Sequence, residues 1–127
     1  MEPDRTRESA NDLHYFIGPL NIDRRTRRAD TVTGAVLALS EEEFDSLDAL
    51  AAREGESLSF DYIYETVWIN GSRSFDKAAA KSGLDHLARI VGEAGEGFMW
   101  IENDPESGYA FRTRWSHNWN GKPDGGQ

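Results

Sequence analysis

The 127-residue sequence contains no cysteine, so disulfides, thiolate metal sites and a cysteine nucleophile are excluded and a reducing compartment is the simple expectation. It has no stretch approaching the ~20 apolar residues of a membrane-spanning helix, and Met1 to Arg5 lacks the apolar core of a secretion signal. A cytoplasmic protein is expected, in which the sequon Asn70-Gly71-Ser72 is simply a turn. The three histidines, His14, His86 and His117, are widely spaced and form no H-x-x-x-H or H-E-x-x-H pattern, so no metal is implied. G-x-S-x-G, P-loop and G-x-G-x-x-G motifs are lacking, and Gly95-Glu96-Gly97 precedes an expected strand rather than opening a helix. No enzyme and no cofactor is expected.

An excess of positive charge is also missing, since the formal net charge is -9. Broad affinity for polyanions comes from lysines and arginines displacing counterions, and this composition argues against it. The distribution is uneven: residues 40 to 94 carry five basic and twelve acidic side chains, whereas residues 1 to 39 carry six of each. The acid excess therefore falls on the expected helices.

What is present is enough for one packed core. Hydrophobic residues make up 38% of the chain and fourteen are aromatic, too many for a disordered chain of this charge. One domain is expected over residues 13–115, flanked by polar segments 1–12 and 116–127 that are expected to be flexible. Short β-type runs span Leu13 to Ile17, Leu20 to Ile22, Thr31 to Thr33 and Ala35 to Leu39, with turns at Gly18-Pro19, Asp23 to Arg28 and Gly34. They predict a four-stranded antiparallel sheet.

At Ser40 the period changes. Ser40-Glu41-Glu42-Glu43 is a capping box, and Phe44, Leu47, Leu50 and Ala51 follow as an apolar stripe that ends toward Gly55. A second helix capped by Ser59 would bury Ile63, Val67 and Trp68 and stop near Asn70-Gly71. A third is expected from about Ser74 to Val91 or Gly92, burying Ala80, Leu84, Leu87 and Val91 at spacings of four, three and four. Gly83 within it costs up to ~1 kcal/mol relative to alanine and is a candidate break. Phe98 to Glu102 and Gly108 to Trp115 read as a hairpin around Asn103 to Ser107. The fold class is α+β.

These elements carry a family resemblance. Leu39-Ser40-Glu41-Glu42-Glu43-Phe44-Asp45-Ser46-Leu47 is similar to the L-(S/T)-x-x-E-F-x-x-L opening of OmpR/PhoB-type winged helix-turn-helix effector domains. Gly55-Glu56-Ser57-Leu58-Ser59 resembles their G-x-x-(V/L)-(S/T), Tyr64 to Trp68 their L-x-x-V-W, and Gly108-Tyr109-Ala110-Phe111 their G-Y-x-F. The resemblance covers residues 13 to 115 and implies a winged helix that binds double-stranded DNA as a transcription regulator. Nothing upstream of Leu13 corresponds to the family's receiver domain, so the sequence is expected to be either a stand-alone effector domain, which Met1 favours, or an excised fragment.

In that family the third helix enters the major groove. The resemblance therefore implies that Lys77, Lys81, His86 and Arg89 face phosphates and bases, and that Arg112 and Arg114 hold the wing. Ala78, Asp85 and Ala88 stand where basic residues are common in the family, and Glu102, Asp104 and Glu106 occupy the approach to the wing. The remaining basic run, Arg24, Arg25, Arg27 and Arg28, is expected to be a solvated strand turn. The alternative function is a winged-helix protein-interaction module, acidic and without DNA. Its anchor would be the acidic helices or an aromatic surface of Trp100, Tyr109 and Phe111 facing a protein partner or a second copy.

Overall fold

The computed structural model describes residues 13–114. The expectations for segments 1–12 and 116–127, and for Trp115, lie outside the described residues.

Strands β1 (His14–Ile17), β2 (Leu20–Asp23) and β3 (Arg28–Thr31) form an antiparallel sheet in the order β1-β2-β3. Tyr15 pairs with Ile22 and Ile22 with Ala29, so alternation places Leu20, Ile22, Ala29 and Thr31 inward, all buried. The expected third and fourth strands are corrected here. The Asp23 carboxylate accepts from the backbone N–H groups of Arg25 and Thr26, and Arg27 takes a left-handed φ of 57°, so the turn closes early and pairing resumes at Arg28. Thr31 then ties a second turn, its N–H donating to the Ala35 carbonyl and its hydroxyl accepting from the Ala35 N–H. Beyond it, residues 35 to 39 make only an isolated bridge, Asp30 to Val36, and no strand.

Helix α1 (Glu41–Ala51) begins at the expected capping box: the Ser40 hydroxyl accepts from the Glu43 N–H and the Glu43 carboxylate from the Ser40 N–H. Its stripe of Phe44, Leu47, Leu50 and Ala51 is buried throughout. Helix α2 (Phe60–Ile63), capped by Ser59, continues as a π-helical turn, Tyr64–Trp68, that buries Val67 and Trp68. The Trp68 indole N–H donates to the buried Ser46 hydroxyl, 3.0 Å away, which joins this turn to α1.

Helix α3 (Lys77–Gly95) is unbroken and buries Ala80, Leu84, Leu87 and Val91. Gly83 is a packing requirement and not a break: a Cβ there would stand 2.3 Å from Cη2 of Trp68. The helix lies about three residues later than expected at both ends. Asp76 is its cap, accepting from the Ala79 N–H, while the Phe75 ring packs edge-on against Trp68 and keeps residues 74 and 75 in the loop. At the far end Gly92 is accommodated within the helix, and Glu96 and Gly97, both at positive φ, end it instead.

The hairpin of β4 (Met99–Asp104) and β5 (Gly108–Thr113) turns Met99, Ile101, Tyr109, Phe111 and Thr113 into the core. Backbone bonds between Leu58 and Tyr109, and from the Gly55 N–H to the Phe111 carbonyl, dock the hairpin on the connection between α1 and α2. Gly108, at φ 107°, makes that approach possible, since a Cβ would meet the Leu58 carbonyl oxygen at 2.1 Å. An aromatic partner surface formed by Trp100, Tyr109 and Phe111 is therefore corrected: Tyr109 and Phe111 are core residues and only Trp100 is half-buried.

Candidate nucleic-acid interface

The buried stripe of α3 fixes which residues look outward. At 100° per residue, the side opposite Ala80, Leu84, Leu87 and Val91 carries Ala78, Ser82, Asp85 and Arg89, all exposed. Lys77 and Lys81 flank this stripe on the side of α2, and His86 flanks it on the side of α1.

The six expected contact residues divide into groups. Lys77 and Lys81 are exposed but held: their ammonium groups sit 5.7 Å from the Tyr64 ring centroid and 5.4 Å from the Phe60 centroid. Phe60 and Tyr64 stack on one another, so two residues four apart on α2 and its π-helical continuation seat two lysines four apart on α3. Lys77 also approaches Asp61 at 3.7 Å, a contact between exposed groups that is worth little. Arg89 is exposed, with no ion pair or ring contact among the described residues.

His86 is turned the other way. Its Nδ1 lies 2.7 Å from Oε2 of the Glu43 carboxylate, whose other oxygen closes the α1 capping box. This histidine ties α3 to α1. Arg112, on β5 opposite Trp100, and Arg114, just past that strand's end, lie at the open end of the hairpin, away from the tip. Arg112 pairs with Glu102, and the Arg114 guanidinium sits 5.3 Å from the Phe98 ring centroid. The tip itself, Asp104 to Ser107, is acidic and forms one wall of a groove shared with Ser59, Phe60, Asp61 and Lys81. The structure thus leaves Lys77, Lys81 and Arg89 exposed on one helix, Arg89 on the outward stripe and the two lysines beside α2, while His86 is tied to α1 and Arg112 and Arg114 lie on the hairpin.

The basic run at Arg24 to Arg28 is more than a solvated tip. Arg24 pairs with Asp48 at 2.9 Å, Arg27 pairs with Asp45 and lies over the Phe44 ring, and Arg28 pairs with Asp30. Arg73 reaches Glu41, Glu42 and Asp45 from the α2–α3 loop, and the hydrogen bond to Asp45 raises its already high pKa further. Much of the acid excess on α1 is therefore neutralised within the molecule.

Tyr109 was not among the expected contact residues. Its hydroxyl is the one buried side-chain polar atom among the described residues without a hydrogen-bond partner, and the residue lines the groove beside Lys81. Burial, then the nearby Asp85 carboxylate, raises its pKa. The G-Y-x-F match was the signal available for it.

No family model matches the chain, and no curated protein does. Solved structures do. The DNA-binding domain of CpxR from E. coli superposes with a TM-score of 0.62 at 22% identity, covering 79% of this chain and 96% of that one. The DNA-binding domain of RstA from Klebsiella pneumoniae, solved in complex with the RstA box, gives 0.60 at 23% identity, covering 78% and 96%. DrrB, a Thermotoga maritima response regulator and OmpR/PhoB homolog, gives 0.64 at 20% identity, with 87% of this chain matching 49% of that one. The chain has the OmpR/PhoB-type winged-helix fold.

Within that fold α3 is the third helix and β4–β5 is the wing. Its wing tip is acidic, and the centre of α3 presents Asp85 outward.

Proposed function

We propose that this winged helix is a transcription regulator that binds double-stranded DNA with the exposed side of α3. The observation that carries the reading is the continuous 19-residue helix that presents Lys77, Lys81 and Arg89 to solvent while burying its aliphatic stripe. A helix of this kind fits the major groove, where cations contact phosphates and polar side chains contact base edges. Similar domains support the reading: CpxR's is described as a DNA-binding domain, and RstA's was solved with the RstA box. The proposed unit is one domain over residues 13–115 acting in the cytoplasm, with no catalytic role. Lys77, Lys81 and Arg89 supply the phosphate contacts; Arg112 and Arg114 add positive charge from the hairpin, and His86 lies beside the central stripe.

Three phosphate contacts give a salt slope of about -2.7, so affinity falls about 40-fold when salt rises about fourfold. Fluorescence anisotropy of a mixed-sequence duplex at two salt concentrations measures this. Binding that follows that slope and disappears in Lys81→Glu and Arg89→Glu supports the reading; no binding at low salt overturns it. The acidic wing tip, with Asp104 and Glu106 beside Lys81, favours a second reading as a protein-interaction module, and that module is what an absence of binding would leave.

A further inference from the structure

We propose that Asp85 is a specificity-determining residue that directs α3 to cytosine in the major groove of its duplex target. This rests on the DNA-binding reading above and names what that surface selects.

The outward stripe of α3 runs Ala78, Ser82, Asp85, Arg89, with the carboxylate near its middle. The surrounding cations leave it free. Lys81, four residues before it, is drawn over the Phe60 ring, His86 turns to Glu43, and Arg89, four residues after it, makes no ion pair among the described residues. From the wing, Tyr109 is the titratable group beside it, and the Tyr109 hydroxyl bonds to nothing among the described residues. Asp85 itself has no ion-pair or hydrogen-bond partner there.

A carboxylate carried into a groove lined by phosphates is repelled unless it accepts a hydrogen bond. The donors on the major-groove edge of the bases are the exocyclic amines of cytosine and adenine. Adenine places its N7 acceptor beside the amine, which repels a second acceptor, whereas cytosine presents its N4 amine with no acceptor on the same base. Asp85 therefore suits cytosine and penalises other bases at that position. Arg89, one turn along, keeps its phosphate contact, so the preference at this position comes from Asp85 alone. The same carboxylate lowers affinity for DNA of arbitrary sequence. Low general affinity and selectivity thus have one cause.

The test uses the full chain with a pool of duplexes randomised at the centre, bound at low salt, recovered and sequenced. The wild type is compared with Asp85→Ala and Asp85→Asn, both at an exposed site. The expected wild-type result is enrichment of cytosine at one position by about tenfold over the other bases. In Asp85→Ala that preference is lost and affinity for the unselected pool rises several-fold. In Asp85→Asn it moves to adenine, whose N6 and N7 an amide matches. If all three proteins bind and enrich the same sequences, the Asp85 proposal is overturned and DNA binding stands. If none binds any duplex, Asp85→Ala included, the DNA-binding reading falls and this one with it.

Discussion

Tyr109 combines a well-packed ring with an unsatisfied polar atom. Its ring fills the junction of wing and helices, yet its hydroxyl is buried and unpartnered. An unmade hydrogen bond of this kind costs about 1–3 kcal/mol, so Tyr109→Phe should stabilise the fold by about 1 kcal/mol, raising Tm by several degrees. A thermal melt of the two proteins checks this; a lower Tm for the variant would mean that the hydroxyl is bonded in solution. Tyr15 differs because its hydroxyl donates to the Asp48 carboxylate, and burial first, then that bond, raises its pKa. The folded chain therefore holds the phenol proton after the unfolded chain, titrating near pH ~10, has begun to lose it. The resulting stabilisation is complete below that pH and is lost as pH rises above it toward the folded value. Urea unfolding across the alkaline range should show a shallower loss of stability for Tyr15→Phe than for the parent, and equal slopes would sink that assignment.

Helix α3 sets two glycines with opposite demands in one element. At Gly83 a Cβ would enter the Trp68 ring, while at Gly92 it would meet nothing within 4 Å. Helix propensity favours alanine by up to ~1 kcal/mol at both. Gly92→Ala should therefore stabilise by about 0.5–1 kcal/mol, whereas overpacking should make Gly83→Ala destabilising by about 1–3 kcal/mol. Equilibrium denaturation of the pair decides it, and a stabilised Gly83→Ala would contradict the packing. This element also shows what the amino acids disclose alone. The apolar stripe of α3, Ala80, Leu84, Leu87 and Val91, and the α1 capping box are legible because helical period and cap chemistry are local. The reason for Gly83 is a tryptophan fifteen residues earlier, and no local pattern carries that contact. Strand β3 was misplaced for a related reason: the left-handed Arg27 shortens its turn, and arginine gives no sign of such a conformation. His86 shows the same limit at the candidate surface, since its partner is Glu43 on another helix.

At the scale of the whole molecule, the net charge of -9 conceals a division of labour. Arg24, Arg27 and Arg73 are engaged by the acids of α1, which leaves the N-terminal sheet and the α2–α3 loop clamped to that helix. Arg73 is the most connected of them, and it also donates to the Val67 carbonyl. Arg73→Ala should destabilise by about 1 kcal/mol because it takes a cation from the partly buried Glu42 and Asp45, the latter keeping Arg27. Chemical denaturation measures that loss, and an unchanged midpoint would mean that the cluster is merely solvated. The cations on the exposed side of α3 take no part in these clamps and remain available to a partner.

The most direct test is to map where duplex DNA touches the folded protein, by following backbone amide NMR shifts during a low-salt titration with a mixed-sequence duplex. The largest changes should fall between Lys77 and Arg89 and on the wing residues beside Lys81, with β1–β3 and α1 nearly unmoved. Shifts concentrated on β1–β3 or α1, with α3 silent, would contradict the account.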